Sequence, residues 1–260
     1  MNGRELIQIL EEQSPVSCAC DWDNVGLLVG SPDKEVKKIY IALDATDEAI
    51  EEAVMVQADM LLTHHPMIFK GMKRVTSEDF IGRRIIKLIQ KDMMYYAMHT
   101  NFDVMGMADL AAARLGLEES TVLDVTCMVE DKPEGIGRVG NLLTPMSLQR
   151  CAKFTEAVFS LEQVKVFGAP DKVVKKVAVS PGSGKSEIKN AILAGADVLI
   201  TGDIDHHDGI DAVAQGLCII DAGHYGLEHI FVDYMKEYLK KHCEDVEIFT
   251  QKLTFPFWVV

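Results

Sequence analysis

The sequence predicts an α/β fold: two duplicated βαβ-type domains packed around a central, metal-containing cleft. Three observations predict it. Short apolar runs alternate with segments of helical spacing, one block of the chain repeats at a constant offset, and histidines stand where apolar runs end. At 260 residues the chain is long enough for a large buried core. We place the first domain at residues 1–125 and the second at residues 126–260.

Residues 1–13 read as an amphipathic helix with Leu6, Ile7 and Leu10 inward. Trp22-Asp23-Asn24 precedes the strand-like Val25-Gly26-Leu27-Leu28-Val29 and reads first as packing and capping, with Asp23 or Asn24 lining the cleft as the alternative. The run from Lys38 to Asp44 reads as a strand, followed by a helix and an Ala58-Asp59 corner. Met60-Leu61-Leu62-Thr63 is then a buried strand that delivers His64-His65-Pro66 at its end. In open α/β sheets the chemistry sits at that edge.

The run from Lys176 to Gly182 starts a second copy. Lys38 falls on Lys176, Ile50 on Ile188, Ala53 on Ala191, Ala58 on Ala196, Asp59 on Asp197, Leu61 on Leu199 and Thr63 on Thr201. Each copy is a βαβ unit, so parallel strands with right-handed crossovers are expected in both. The copies continue with a shift in spacing. Met94–Met98 leads to His99 and Asp103, and Cys218–Gly223 leads to His224 and Glu228. In both, a carboxylate follows a histidine by four residues where a helix should begin, so the two share one helix face. The halves are not equivalent, because Gly202-Asp203 stands where His64-His65 stands; one pocket between the halves is expected rather than two.

The candidate metal ligands are His64, His65, Asp103, His224 and Glu228, with His99 nearby as an orienting group or general base and our candidate catalytic residue. Imidazoles with carboxylates and no thiolates suit divalent zinc, manganese, iron or nickel. Five ligands exceed what one open tetrahedral site needs and suit two ions sharing a carboxylate, for which Glu228 is the candidate. A hydroxide bridging two such ions is a nucleophile for hydrolysis.

Other features bound the reading. The net charge of -14, from 26 basic and 40 acidic residues, argues against binding a nucleic-acid backbone. No apolar run approaches the ~20 residues of a membrane span, and no basic-then-apolar leader opens the sequence. The six cysteines show no paired C-x-x-C spacing, which points to reduced thiols and a cytoplasmic location. Ser180-Pro-Gly-Ser-Gly-Lys-Ser186 lacks the first glycine of a phosphate-binding P-loop, having Val179 there, and reads as a glycine turn into a helix. The apolar tail from Phe255 to Val260 is expected to form an edge strand of the second domain or a subunit contact.

Taken in order, Trp22-Asp23-Asn24-Val25-Gly26, Thr63-His64-His65-Pro66, His99-Thr100-Asn101-Phe102-Asp103, Thr201-Gly202-Asp203-Ile204 with His207, and Gly223-His224 with Glu228 resemble the GTP cyclohydrolase 1 type 2 homologue family, proteins with a dinuclear metal centre. The resemblance covers nearly the whole chain. It implies two related α/β domains, two metal ions and a toroidal homohexamer. It further implies that His65 and Asp103 hold one ion, His64 and His224 the other, and Glu228 both. The stretch from Thr126 to Val166 is too short for the extra domain that some members carry, and His206 adds a histidine beside His207. The expected function is hydrolysis of a small nucleotide-like or phosphorylated substrate; the alternative is a non-enzymatic metal-binding scaffold or regulatory assembly built with the same ligands.

Overall fold

The computed structural model describes residues 1–258. In chain order it runs α1 (Gly3–Gln13), β1 (Gly26–Val29), β2 (Lys38–Ala42), α2 (Asp47–Met55), β3 (Met60–Thr63), α3 (Phe80–Gln90), β4 (Met94–Ala97), α4 (Thr100–Phe102) and α5 (Ala108–Arg114). It continues through β5 (Leu117–Val129), β6 (Lys132–Ser147), α6 (Leu148–Phe159), β7 (Lys165–Phe167), β8 (Val173–Ser183), α7 (Ile188–Leu193) and β9 (Val198–Gly202). Last come α8 (His206–Ala214), β10 (Cys218–Asp221), α9 (His224–Glu228), α10 (Ile230–His242) and β11 (Glu247–Thr250). Among the described residues no helix is long and apolar enough to cross a membrane.

The chain forms two units, each with its own sheet. The first comprises Met1–Phe102 and Phe231–Thr254; the second comprises Asp103–Ile230 and the tail from Phe255. The expected boundary at residue 125 is therefore corrected on two counts. Residues from Asp103 belong with the second unit because β5 pairs along its length with β6, from Leu117 against Leu142 to Val129 against Lys132. A cut at residue 125 would break that hairpin. The chain also returns: β11 pairs in parallel with β2, and in α10 Phe231 packs edge-on against Phe102 at 4.9 Å.

In the first unit the strand order is β1-β4-β3-β2-β11. The central strands β3 and β4 are buried at every position, as their continuous apolar sequence requires. Helix α1 starts at a capping box, in which the Asn2 side chain accepts from the backbone while Glu5 reaches back to Asn2 N–H. It buries Leu6 and Leu10, while Ile7 is half-buried. Thr46 and Asp79 cap α2 and α3, which pack Ile50, Ala53, Ile85 and Leu88 onto Leu61 and Tyr95 of the sheet.

In the second unit the order is β5-β6-β8-β9-β10-β7. The expected parallel pairing holds for β2-β3-β4 and β8-β9-β10, and β11 adds a further parallel strand on β2. Antiparallel strands flank both cores, β1 on β4 and β7 on β10 at corresponding edges, and β6 on β8. Only β5 and β6 form a hairpin; the other antiparallel partners are separated in sequence by whole strands and helices.

The duplication extends to individual hydrogen bonds. Lys37 and Lys38 N–H donate to Asp59 Oδ2 at 2.8 and 3.0 Å; Lys175 and Lys176 N–H donate to Asp197 Oδ2, both at 2.9 Å. Lys38 Nζ donates to Val56 O and Lys176 Nζ to Ala194 O. The helix that follows the first strand of each copy ends through a left-handed residue, Gln57 (φ 58°) or Gly195 (φ 69°). Such agreement at fixed offset is what two copies of one βαβ unit must show.

Of the two expectations for the tail, the edge strand of the second domain is corrected. The terminal strand β11 joins the first sheet, and Phe255–Trp258 adopt no strand; residues 259 and 260 of the expected edge strand lie outside the described residues.

Candidate metal centre

In the first unit, β3 ends at Thr63 and turns at once. Thr63 Oγ1 donates to His65 O at 2.8 Å. The buried Tyr95 hydroxyl donates to His65 O at 3.0 Å and accepts Met67 N–H at 2.7 Å. Burial pushes that phenol up to about 12, so it stays a neutral donor. The turn presents His64 and His65 side by side, with ring centroids 4.8 Å apart. His99, at the bend after β4, brings its ring to 5.3 Å from His64 and 5.5 Å from His65. One nitrogen from each of His64, His65 and His99 lies within 4.8 Å of the others, a spacing that fits metal ligation.

The Nδ1 atoms are all engaged by acceptors. His64 Nδ1 is 2.7 Å from Met98 O, His65 Nδ1 is 2.8 Å from Asp44 Oδ1, and His99 Nδ1 is 2.9 Å from Asp23 Oδ1. A carbonyl or carboxylate oxygen can only accept here, so each Nδ1 carries the proton and each lone pair is on Nε2. Burial works against charge on Asp23, but hydrogen bonds from His99 and Thr100 and the His99 charge outweigh it, holding the carboxyl at about 2. Asp23 Oδ2 accepts Thr100 Oγ1 at 2.6 Å and Thr100 N–H at 3.0 Å. Asp23, read from sequence as a capping or cleft residue, therefore orients His99.

In the second unit, His224 opens α9 and Glu228 closes it one turn later, with His224 Nε2 3.0 Å from Glu228 Oε2. His224 Nδ1 is 2.8 Å from Asp203 Oδ2, so both ring nitrogens face oxygens. Two acceptors cannot hold a 3.0 Å contact without a proton or cation between them. Glu228 is 2 % exposed. Glycines make room for it: a Cβ on Gly182, at φ +78°, would lie 2.4 Å from Glu228 Oε1, and one on Gly202 would lie 2.4 Å from His224 N.

Asp103 begins a π-helical turn, Asp103–Met107, and is half-buried. This alters the expected match between His99–Asp103 and His224–Glu228. Met98 N–H donates to Thr63 O as Ala222 N–H donates to Thr201 O, so the backbone aligns His99 with Gly223 and Thr100 with His224. The histidines are one residue out of step, and the π-turn inserts a residue where Asp103 stands.

The glycine turn after β8 is a 3₁₀ segment, Gly184–Glu187, and Lys185 Nζ pairs with Asp208 Oδ2 at 2.7 Å and with Asp205 Oδ2 at 3.4 Å. His206 and His207 are exposed on the first turn of α8, and His229 Nε2 donates to Phe159 O at 2.9 Å. Asp44 and the role of Asp203 were not read from sequence. The signal was a spacing: Asp44 precedes His65, and Asp203 precedes His224, by the same 21 residues.

The family model for Duf34/NIF3 (NGG1p interacting factor 3) matches residues 1–255. The chain belongs to the DUF34/NIF3 family. Among its DUF34/NIF3 relatives, the GTP cyclohydrolase 1 type 2 homolog of Clostridium perfringens is 34 % identical over 255 residues, covering 97 % of each chain. The protein of the same name from Clostridium acetobutylicum is 35 % identical over 239 residues, 91 % of this chain and 89 % of that one. A solved Bacillus cereus protein related to NIF3 superposes with a TM-score of 0.90 at 26 % identity, covering 100 % of this chain and 99 % of that chain. The family resemblance read from the motifs and the α/β fold class both hold.

Proposed function

We propose that this DUF34/NIF3 chain is a dinuclear metal-dependent hydrolase acting on a small nucleotide-like or phosphorylated substrate. The supporting observation is the common state of four histidines. His64, His65, His99 and His224 each have Nδ1 held by a fixed oxygen acceptor. Metal-binding imidazoles show this arrangement, since the second hydrogen bond fixes the tautomer and raises the basicity of Nε2.

The residues fit the group. In the proposal His65 and Asp103 would hold one divalent ion and His64 and His224 the other, Glu228 would serve both, and zinc, manganese, iron or nickel would suit the donors. The Gly182 backbone leaves the Glu228 carboxylate the space that any Cβ would fill. Bound there, the ions would supply Lewis acidity toward water and a substrate oxygen. His99 acts beside them: with Nδ1 donated to the ionised Asp23, its Nε2 takes a proton and the Asp23 carboxylate stabilises the imidazolium. Trp22 and Phe69 stand at 6.0 and 6.3 Å from the His99 ring, edge-on to it.

The relatives' name, GTP cyclohydrolase 1 type 2 homolog, makes a purine nucleotide the first substrate to try. The metal-loaded protein is assayed against GTP, other nucleotides and phosphoesters. Turnover that is lost in His64→Ala and not restored by added metal supports the hydrolase; no turnover on any of them replaces it with the metal-binding scaffold. The homohexamer implied by the resemblance belongs to the same proposal and is read by sedimentation equilibrium.

A further inference from the structure

The second unit contains a cavity of about 640 Å³ with Gly223, the residue before the candidate ligand His224, in its wall. Its apolar side is formed by Phe255, Phe257 and Trp258 of the tail, and its polar side by Glu162, Lys165 and Asp221. The volume falls in the range of small-molecule sites, and apolar walls with a few polar groups are their usual composition.

The polar side is built rather than incidental. Lys165 Nζ is 2.7 Å from Asp221 Oδ2 and donates to Ile204 O at 2.8 Å. The Asp221 carboxylate, 8 % exposed, accepts Ile204 N–H and Gly223 N–H, both at 3.1 Å. Lys165 is thus neutralised by its partner, and Glu162 leaves a surplus of negative charge. A phosphate is repelled from such a cavity, whereas the N–H edge of a neutral heterocycle is attracted. The apolar side points the same way. Phe255 is anchored against Tyr225 at 5.3 Å, while Phe257 and Trp258 remain 59 % and 82 % exposed. Aromatic faces bordering a cavity bind flat rings by stacking.

We propose that this cavity is a subsite for a planar heteroaromatic base, the ring portion of the substrate, with Phe257 and Trp258 as its stacking partners and Glu162 as an acceptor for ring N–H groups. The assignment rests on the hydrolase reading above and extends it: the base lodges beside His224, and the phosphates stay outside.

The chain has two tryptophans, so Trp22→Phe leaves Trp258 as the sole indole reporter. Metal-free protein of that background is titrated with guanosine, with GTP and with ribose, following Trp258 emission. The expected result is saturable quenching by guanosine and GTP alike, none by ribose, and binding weakened about tenfold in Phe257→Ala. The proposal is overturned if guanosine gives no saturable quenching, if Phe257→Ala binds as tightly, or if sedimentation shows the Trp258 signal following protein concentration, which would make a second copy the occupant. Because the titration uses no metal, its failure leaves the metal reading standing, and a failed metal reading leaves ring binding measurable.

Discussion

Asp203 Oδ2 accepts the Nδ1–H of His224 at 2.8 Å from the chain position that, in the other copy, is His65. Duplication gave both copies a β-strand ending in a turn, and the two turns have since divided the work. In the first copy the turn supplies imidazoles and takes its carboxylate, Asp44, from the preceding strand end. In the second the turn supplies the carboxylate, and the imidazole comes from the next strand end. Asp203 adopts φ 58°, a left-handed conformation that aspartate tolerates better than most residues. Removing this acceptor in Asp203→Ala should lower metal affinity about 10–100-fold. Titration with Co²⁺ measures it, and because Asp203 is exposed the thermal stability should fall only by the strain alanine meets at φ 58°, about 1 kcal/mol.

Asp23 gives a pH signature. Its carboxyl sits at about 2 in the folded chain, below the ordinary value of 3.8. A depressed acid stabilises the fold above its unfolded pKa and loses that contribution as pH falls through the folded one. The thermal stability gap between the unmodified protein and Asp23→Asn should therefore be full at pH 5 and above, and shrink as the pH drops from about 4 to about 2. A gap that stays constant across that window would mean that the carboxylate charge contributes nothing.

Gly182 tests the space around Glu228. Alanine there meets two obstacles, the positive φ of 78° and the Glu228 carboxylate 2.4 Å from the new Cβ. Gly182→Ala should destabilise the chain by about 1–3 kcal/mol and also reduce bound metal. Chemical denaturation and metal analysis on the same preparation separate the two effects. Gly195→Ala is the control: it carries a similar backbone strain at φ +69° with nothing within 4 Å, and should lower stability alone.

How much of this was legible in the sequence follows from how local each signal is. The buried strands β3, β4, β9 and β10 are continuous apolar runs, and the repeat set them in register, so the histidines at their ends could be named. The antiparallel strands were not legible, since what β5 pairs with is decided by β6 and the turn between them rather than by its own half-exposed pattern. The return of β11 to β2 was hidden because the partners lie some two hundred residues apart. The orienting residues Asp44 and Asp203 were equally hidden: an acceptor for a histidine proton is common in sequence and becomes specific only when folding brings it to 2.8 Å. The π-turn at Asp103 displaced one expected equivalence by a residue, which no spacing rule reveals.

The central claim is that the five ligands hold two ions. Protein purified without chelator is analysed for bound metal by mass spectrometry, together with His65→Ala and Glu228→Ala, each checked for folding by its thermal transition. The account predicts about two divalent ions per chain in the unmodified protein and a clear loss in both variants. Fewer than about one ion per chain in the unmodified protein, or folded variants that retain as much metal as it does, would contradict the two-metal assignment.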